Sequence, residues 1–79
     1  MEWVIEGNKL KKVFNFKSFA EAIKFVNIVA EVAEQAAHHP DIMIKYNQVT
    51  LELWTHDTGD VQPKDFTLAK KIDEAVKHF

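Results

Sequence analysis

Apolar and polar residues alternate with a period of two along two stretches of the chain. Ile42, Ile44 and Tyr46 alternate with Met43 and Lys45, and Val49, Leu51 and Leu53 alternate with Thr50, Glu52 and Trp54. That period predicts two half-buried strands, with Asn47-Gln48 as a two-residue turn because Asn tolerates the left-handed region. Trp3 to Ile5 and Leu10 to Phe16 are rich in aromatic and β-branched types, and Glu6-Gly7-Asn8-Lys9 between them carries turn chemistry. They predict a hairpin.

The pattern then changes to a helical one. Ser18 caps the helix start and Glu21, three residues on, completes a capping box, so a helix is expected from there to about Ala37. Glu21, Lys24, Asn27, Glu31 and Glu34 form its single polar stripe. Phe19, Ile23, Val26, Ala30 and Ala33 line one apolar flank, and Phe25, Ile28, Val29, Val32 and Ala36 the other. So wide an apolar arc calls for two coverings: the sheet on one flank, and either a partner subunit or a second helix on the other. Pro40 cannot continue the helix and moves His39 out of the α region, which puts His38 and His39 on a helix-to-strand loop. After Asp57-Thr58-Gly59-Asp60, Pro63 suits the first position of a second helix and Asp65 favours its dipole. Phe66, Ala69, Ile72 and Val76 are its expected buried stripe. The element order is β-β-α-β-β-α, with no repeat, linker or low-complexity segment.

Composition narrows this to one small domain: 79 residues, 47% hydrophobic and 28% charged. A chain of this size buries only about 60% of its unfolded surface, so association with further copies would stabilise it. The net charge of -2 argues against nucleic acid, and the one basic cluster, Lys9, Lys11, Lys12 and Lys17, is expected to be a solvated strand face. Cysteine is absent, which removes disulfides and thiolate chemistry and fits a reducing compartment. No apolar run nears the roughly 18 residues that span a bilayer. Met1-Glu2-Trp3 opens without a leader pattern, so a cytoplasmic protein that does not bind membranes is expected.

Candidate chemistry rests on histidine, the side chain that exchanges protons near neutral pH. There are four: His38 and His39 in tandem, His56 in Trp54-Thr55-His56-Asp57, and His78 near the end. The period of two puts His56 on the face of Thr50, Glu52 and Trp54, away from the core. Several readings fit the pair. Imidazoles near a helix C-terminus interact favourably with its dipole. Three imidazoles also suit a zinc site, but adjacent histidines on a loop diverge and no i, i+4 pair is present. Nucleophile elbows and glycine-rich phosphate loops are missing, with only Gly7 and Gly59 in the chain. General acid-base work supported by carboxylates remains.

Glu34, three residues, His38-His39-Pro40, five residues, Tyr46, nine residues, His56, eight residues, Asp65: this spacing closely resembles the signature of the pterin-4a-carbinolamine dehydratases. The resemblance covers nearly the whole chain, including the Trp3 strand, Phe14-Asn15-Phe16-Lys17-Ser18-Phe19 and Asp65-Phe66-Thr67-Leu68-Ala69. It implies an α+β fold, a four-stranded antiparallel sheet with two helices packed on one face, assembled as a homodimer or homotetramer. Longer members carry an extra N-terminal helix, for which no counterpart is expected in this sequence. The implied reaction is dehydration of a 4a-hydroxytetrahydropterin, the product of aromatic amino-acid hydroxylases, to the quinonoid dihydropterin, with no metal or redox cofactor required.

The resemblance makes His38 and His56 the candidates for proton transfer and gives His39 the task of holding and polarising the pterin, with roles exchangeable. Ala37, Trp54, Thr55 and Asp57 would line the pterin site, partly through backbone groups. Glu34 and Asp65 would stand behind the imidazoles, orienting them or tuning their protonation, though each also has a plain structural use on its helix. Tyr46 and Trp3 are assigned to packing. The chain departs from the family at Ala37, where a polar residue is common, and at Trp54, where smaller residues are common. Two other roles compete: a coactivator or binding module, since vertebrate members stabilise dimers of a homeodomain transcription factor, and an accessory role in pterin or molybdopterin metabolism.

Overall fold

The computed structural model describes residues 2–77 and 79, so His78 lies outside the described residues. The elements run β1 (Val4–Glu6), β2 (Lys9–Asn15), α1 (Phe19–Ala36), β3 (Asp41–Lys45), β4 (Gln48–Leu53) and α2 (Pro63–Val76). The strands form one antiparallel sheet in the order β1-β2-β4-β3. This is the expected α+β architecture. Among the described residues, no helix is long and apolar enough to cross a membrane.

Register fixes which residues face inward. Leu10 pairs with Leu53, Lys12 with Leu51 and Phe14 with Val49, while Ile42 pairs with Leu51 on the other side. Leu10, Val49, Leu51 and Leu53 are buried against Ala22, Phe25 and Val29 of α1 and Leu68, Ala69 and Ile72 of α2. Burying a side chain such as Phe25 contributes on the order of 2 kcal/mol, and its ring also meets Phe14 and Phe16 at 4.6 and 4.9 Å. Both helices pack on this one face. The second helix therefore covers part of the wide apolar arc of α1, while Phe19 at its start stays 52% exposed.

Three expectations are corrected. The turn between β3 and β4 is Tyr46-Asn47 rather than Asn47-Gln48, because Lys45 pairs with Gln48. Asn47 is held there from outside the hairpin: its side-chain amide donates to the Phe16 carbonyl at 2.7 Å, and its own carbonyl accepts from Phe16 N–H at 2.9 Å. That leaves Tyr46 at φ 53. The buried stripe of α2 is Asp65, Leu68, Ala69 and Ile72, and Phe66 is exposed. Its phase is set by Asp65, which turns inward and carries Leu68 and Ile72 with it at i+3 and i+7. Finally, Lys12 does not share the solvated face of Lys9 and Lys11. It stands on the helix-facing side and pairs with Asp73 of α2 at 2.9 Å, which also accepts from the Trp3 indole.

Candidate active site

At one end of the sheet the C-terminus of α1, the start of β3, the end of β4 and the N-terminus of α2 come together. The first device is the end of α1. Ala37 adopts the left-handed conformation (φ 53, ψ 37). Its N–H donates to the Glu34 carbonyl and the His38 N–H donates to the Ala33 carbonyl, both at 3.2 Å. This pair of bonds is a Schellman motif, which ends the helix and reverses the chain. His38 follows directly and is directed inward.

There it meets Asp65. The carboxylate is fully buried and accepts three hydrogen bonds, from His38 Nε2, from Thr55 Oγ1 at 2.9 Å and from the Gln62 backbone N–H at 2.8 Å. Burial alone pushes the Asp65 carboxyl up, but the bonds from His38, Gln62 and Thr55, with the charge on His38, outweigh it and hold the group below the ordinary carboxylate value. Asp65 is therefore ionised at neutral pH. The Nε2–H bond to it fixes the tautomer of a neutral His38, leaving Nδ1 as the nitrogen for exchange. The imidazole borders a hollow of about 290 Å³ between the helices, lined also by Ala37, Lys64, Thr67 and Lys71.

A second group lies on the exposed side. His39 Nε2 donates to Glu34 Oε2, one turn back on α1, in a pair that stays mostly in solvent. His56 follows β4 on a loop closed by Thr55 N–H to the Asp60 carbonyl at 2.9 Å and Gly59 N–H to the Thr55 carbonyl at 2.8 Å. Gly59 supplies the positive φ of 71 that this loop requires. The His56 ring stacks on Trp54, with centroids 4.1 Å apart and planes 22° from parallel. Trp54 Nε1–H in turn donates to Asp41 Oδ2 at 2.9 Å.

The predicted residues thus fall into three contacts: His38 with Asp65 and Thr55, His39 with Glu34, and His56 with Trp54. The Thr55 side chain is buried and its hydroxyl is occupied by Asp65. Asp57 is exposed and Ala37 acts through its backbone conformation. Sequence reasoning passed over Asp41, whose position beside β4 becomes visible only once Asp41 is known to pair with Glu52. Among the described residues, no three histidine, aspartate or glutamate side chains are grouped as a metal ion would need. A wider hollow of about 480 Å³ lies at the other end of the sheet, between β2 and the end of α2, and among the described residues no histidine, aspartate or glutamate side chain lines it.

The model of the family described as pterin 4 alpha carbinolamine dehydratase matches residues 1–75. A Sulfolobus acidocaldarius protein provisionally named pterin-4-alpha-carbinolamine dehydratase is 51% identical over 72 residues, spanning 91% of this chain and 79% of the relative. A Picosynechococcus protein under the same provisional name is 53% identical over 73 residues, spanning 92% and 79%. Among solved structures, a transcriptional coactivator/pterin dehydratase from Brucella melitensis matches with a TM-score of 0.82 at 32% identity, over 90% of this chain and 77% of that one. A pterin dehydratase-like protein identified as a RuBisCO assembly factor in the alpha-carboxysome matches with a TM-score of 0.80 over 95% and 89%; at 23% identity it shares the fold.

Proposed function

Because this chain belongs to the pterin-4a-carbinolamine dehydratase family, we propose that it is a hydro-lyase that dehydrates a 4a-hydroxytetrahydropterin to the quinonoid dihydropterin by histidine general acid-base catalysis. Such a step returns the pterin used by aromatic amino-acid hydroxylases to its cycle. Hydroxide is a poor leaving group from C4a. An imidazolium gives its proton to the hydroxyl, the C4a–O bond breaks and water departs. The N5 lone pair forms the N5=C4a double bond, and the N5 proton passes to a second imidazole. General acid assistance of this kind is worth about 10²–10⁴-fold.

The observation that carries the reading is His38 donating to the buried, ionised Asp65. A carboxylate wholly removed from water is costly unless its bonds are made, and here one of them orients an imidazole beside an open hollow. In this assignment His38 exchanges a proton at Nδ1 and His56 is its counterpart. His39, turned by Glu34, holds the pterin, while Ala37, Trp54, Thr55 and Asp57 line the site. Asp65 and Glu34 act through the imidazoles they orient.

The exposed apolar side chains Ile5, Met43 and Ile44, on the two outer strands, support assembly of the chain into a homodimer or homotetramer. The lack of cysteine accords with a cytoplasmic location. The test follows the disappearance of enzymatically generated 4a-hydroxytetrahydropterin with the wild type, His38→Ala and His56→Ala. The wild type should exceed the spontaneous rate and each variant should lose on the order of 10²-fold. A wild type no faster than the spontaneous reaction, or two fully active variants, overturns the reading. The latter result would favour a binding or coactivator role, which does not depend on the imidazoles.

A further inference from the structure

His38 and His39 each have Nε2 engaged by a carboxylate. His56 is different. Among the described residues it makes no hydrogen bond, it is exposed on a loop, and its one directional contact is the face of the Trp54 indole. An exposed imidazole has two free torsions, so a ring that must meet a reacting atom needs something to fix its plane. A hydrogen bond would do so by occupying a nitrogen. A stack fixes the plane and leaves both nitrogens open, one to exchange with a substrate and one with water.

The indole is itself held. Its N–H donates to Asp41 at 2.9 Å, and Lys9 Nζ lies 5.6 Å from its centroid while pairing with Glu52 at 3.3 Å. Asp41 and Glu52 are directly opposite one another in the β3–β4 ladder. The platform under His56 is therefore built from three strands of the sheet, which a loop residue alone is not.

We propose that Trp54 is a positioning residue for His56: its indole, pinned to the sheet through Asp41, sets the plane of an imidazole that keeps both nitrogens free for proton exchange. This rests on the dehydratase reading and adds to it a residue that acts through another. A smaller side chain at this position would leave the imidazole to swivel. An aromatic one without the indole N–H would still offer a face.

The experiment uses the full chain and initial rates of 4a-hydroxytetrahydropterin loss over a range of substrate concentrations. Trp54→Leu should lower kcat about tenfold with KM unchanged within about twofold, and Trp54→Phe should recover to within about threefold of wild type. A raised KM at constant kcat would leave Trp54 as a lining residue of the pterin site that does not position His56 and would overturn the proposal, as would an unaffected Trp54→Leu or a Trp54→Phe as impaired as leucine. The stack is also read without turnover. In a Trp3→Phe background Trp54 is the only indole, and its emission intensity should change on His56→Ala, because the ring stacked on it is lost. Unchanged emission overturns the stack. A wild type without catalysis defeats the dehydratase reading and the proton-exchange role together, whereas an active wild type with an unaffected Trp54→Leu defeats only the positioning role.

Discussion

Two histidines adjacent in sequence each donate to a carboxylate, yet the two pairs stand in different surroundings. His38 and Asp65 have side chains only 12% and 0% exposed, whereas His39 and Glu34 are 60% and 75% exposed. In the first pair the carboxylate has left water, and its three donors replace hydration. In the second, water screens the charges and replaces either partner when it is lost. The same two residue types therefore serve as a structural anchor on one side of the motif and as an adjustable contact on the other.

The largest expected effect would break that contrast if it failed. Asp65→Ala leaves His38, the Thr55 hydroxyl and the Gln62 N–H without their acceptor and should cost about 3 kcal/mol. Glu34→Ala should cost less than about 0.5 kcal/mol. Urea unfolding of both variants measures the difference directly. Since a domain of this size has about 5–8 kcal/mol in all, the first variant should keep about 2–5 kcal/mol and unfold at a clearly lower urea concentration, and the second should be indistinguishable from wild type. Equal midpoints would show that burial does not separate the two pairs.

A smaller effect sharpens the comparison through pH. Asp65 is held below its ordinary value of 3.8 in the folded chain. On acidification the unfolded chain takes up this proton first, near 3.8, while the folded chain is still ionised. The unfolded state then binds more protons, so stability falls as pH drops and rises as pH increases. The Asp65 contribution is full above that value and is lost as pH falls through the folded one. Asp65→Asn, which cannot titrate, should be less stable than wild type at pH 6 and should approach it toward pH 2, as urea midpoints measured across that range would show. A gap between the two that is constant with pH would mean that the carboxyl titrates alike in the folded and unfolded chains, and one that widens toward low pH would mean that the fold holds it protonated.

What sequence could convey follows the same division. Strict alternation at Val49, Leu51 and Leu53 and the Ser18 cap were enough to place β4 and α1, because local chemistry decides them. Long-range bonds decided what was missed. The Tyr46-Asn47 turn depends on Phe16, 31 residues away from Asn47, and the phase of α2 depends on a buried aspartate that a rule seeking apolar residues inside would always turn outward. For the site, residue types pointed to His38, His39 and His56, and the family resemblance added Glu34 and Asp65. Only coordinates pair them as Asp65 with His38 and Glu34 with His39, and only the strand register brings Asp41 to Trp54.

The smallest effect tests the hinge between the two regions. Ala37 separates the helix from the histidine pair and takes the left-handed conformation, at φ 53 and ψ 37, which costs an L-residue about 1–2 kcal/mol. Glycine carries no such penalty but gives the unfolded chain more freedom, which offsets part of the gain. Ala37→Gly should therefore stabilise the protein by about 0.5 kcal/mol, or roughly 3 °C in Tm for a chain of this length. The gain arises in the backbone, so it should persist in an Asp65→Asn background, where the ionised anchor for His38 is gone. If the gain vanished there, the left-handed turn at Ala37 would be imposed by the pull of Asp65 on His38 rather than by the Schellman bonds to Ala33 and Glu34, and the two regions would be coupled through that one residue.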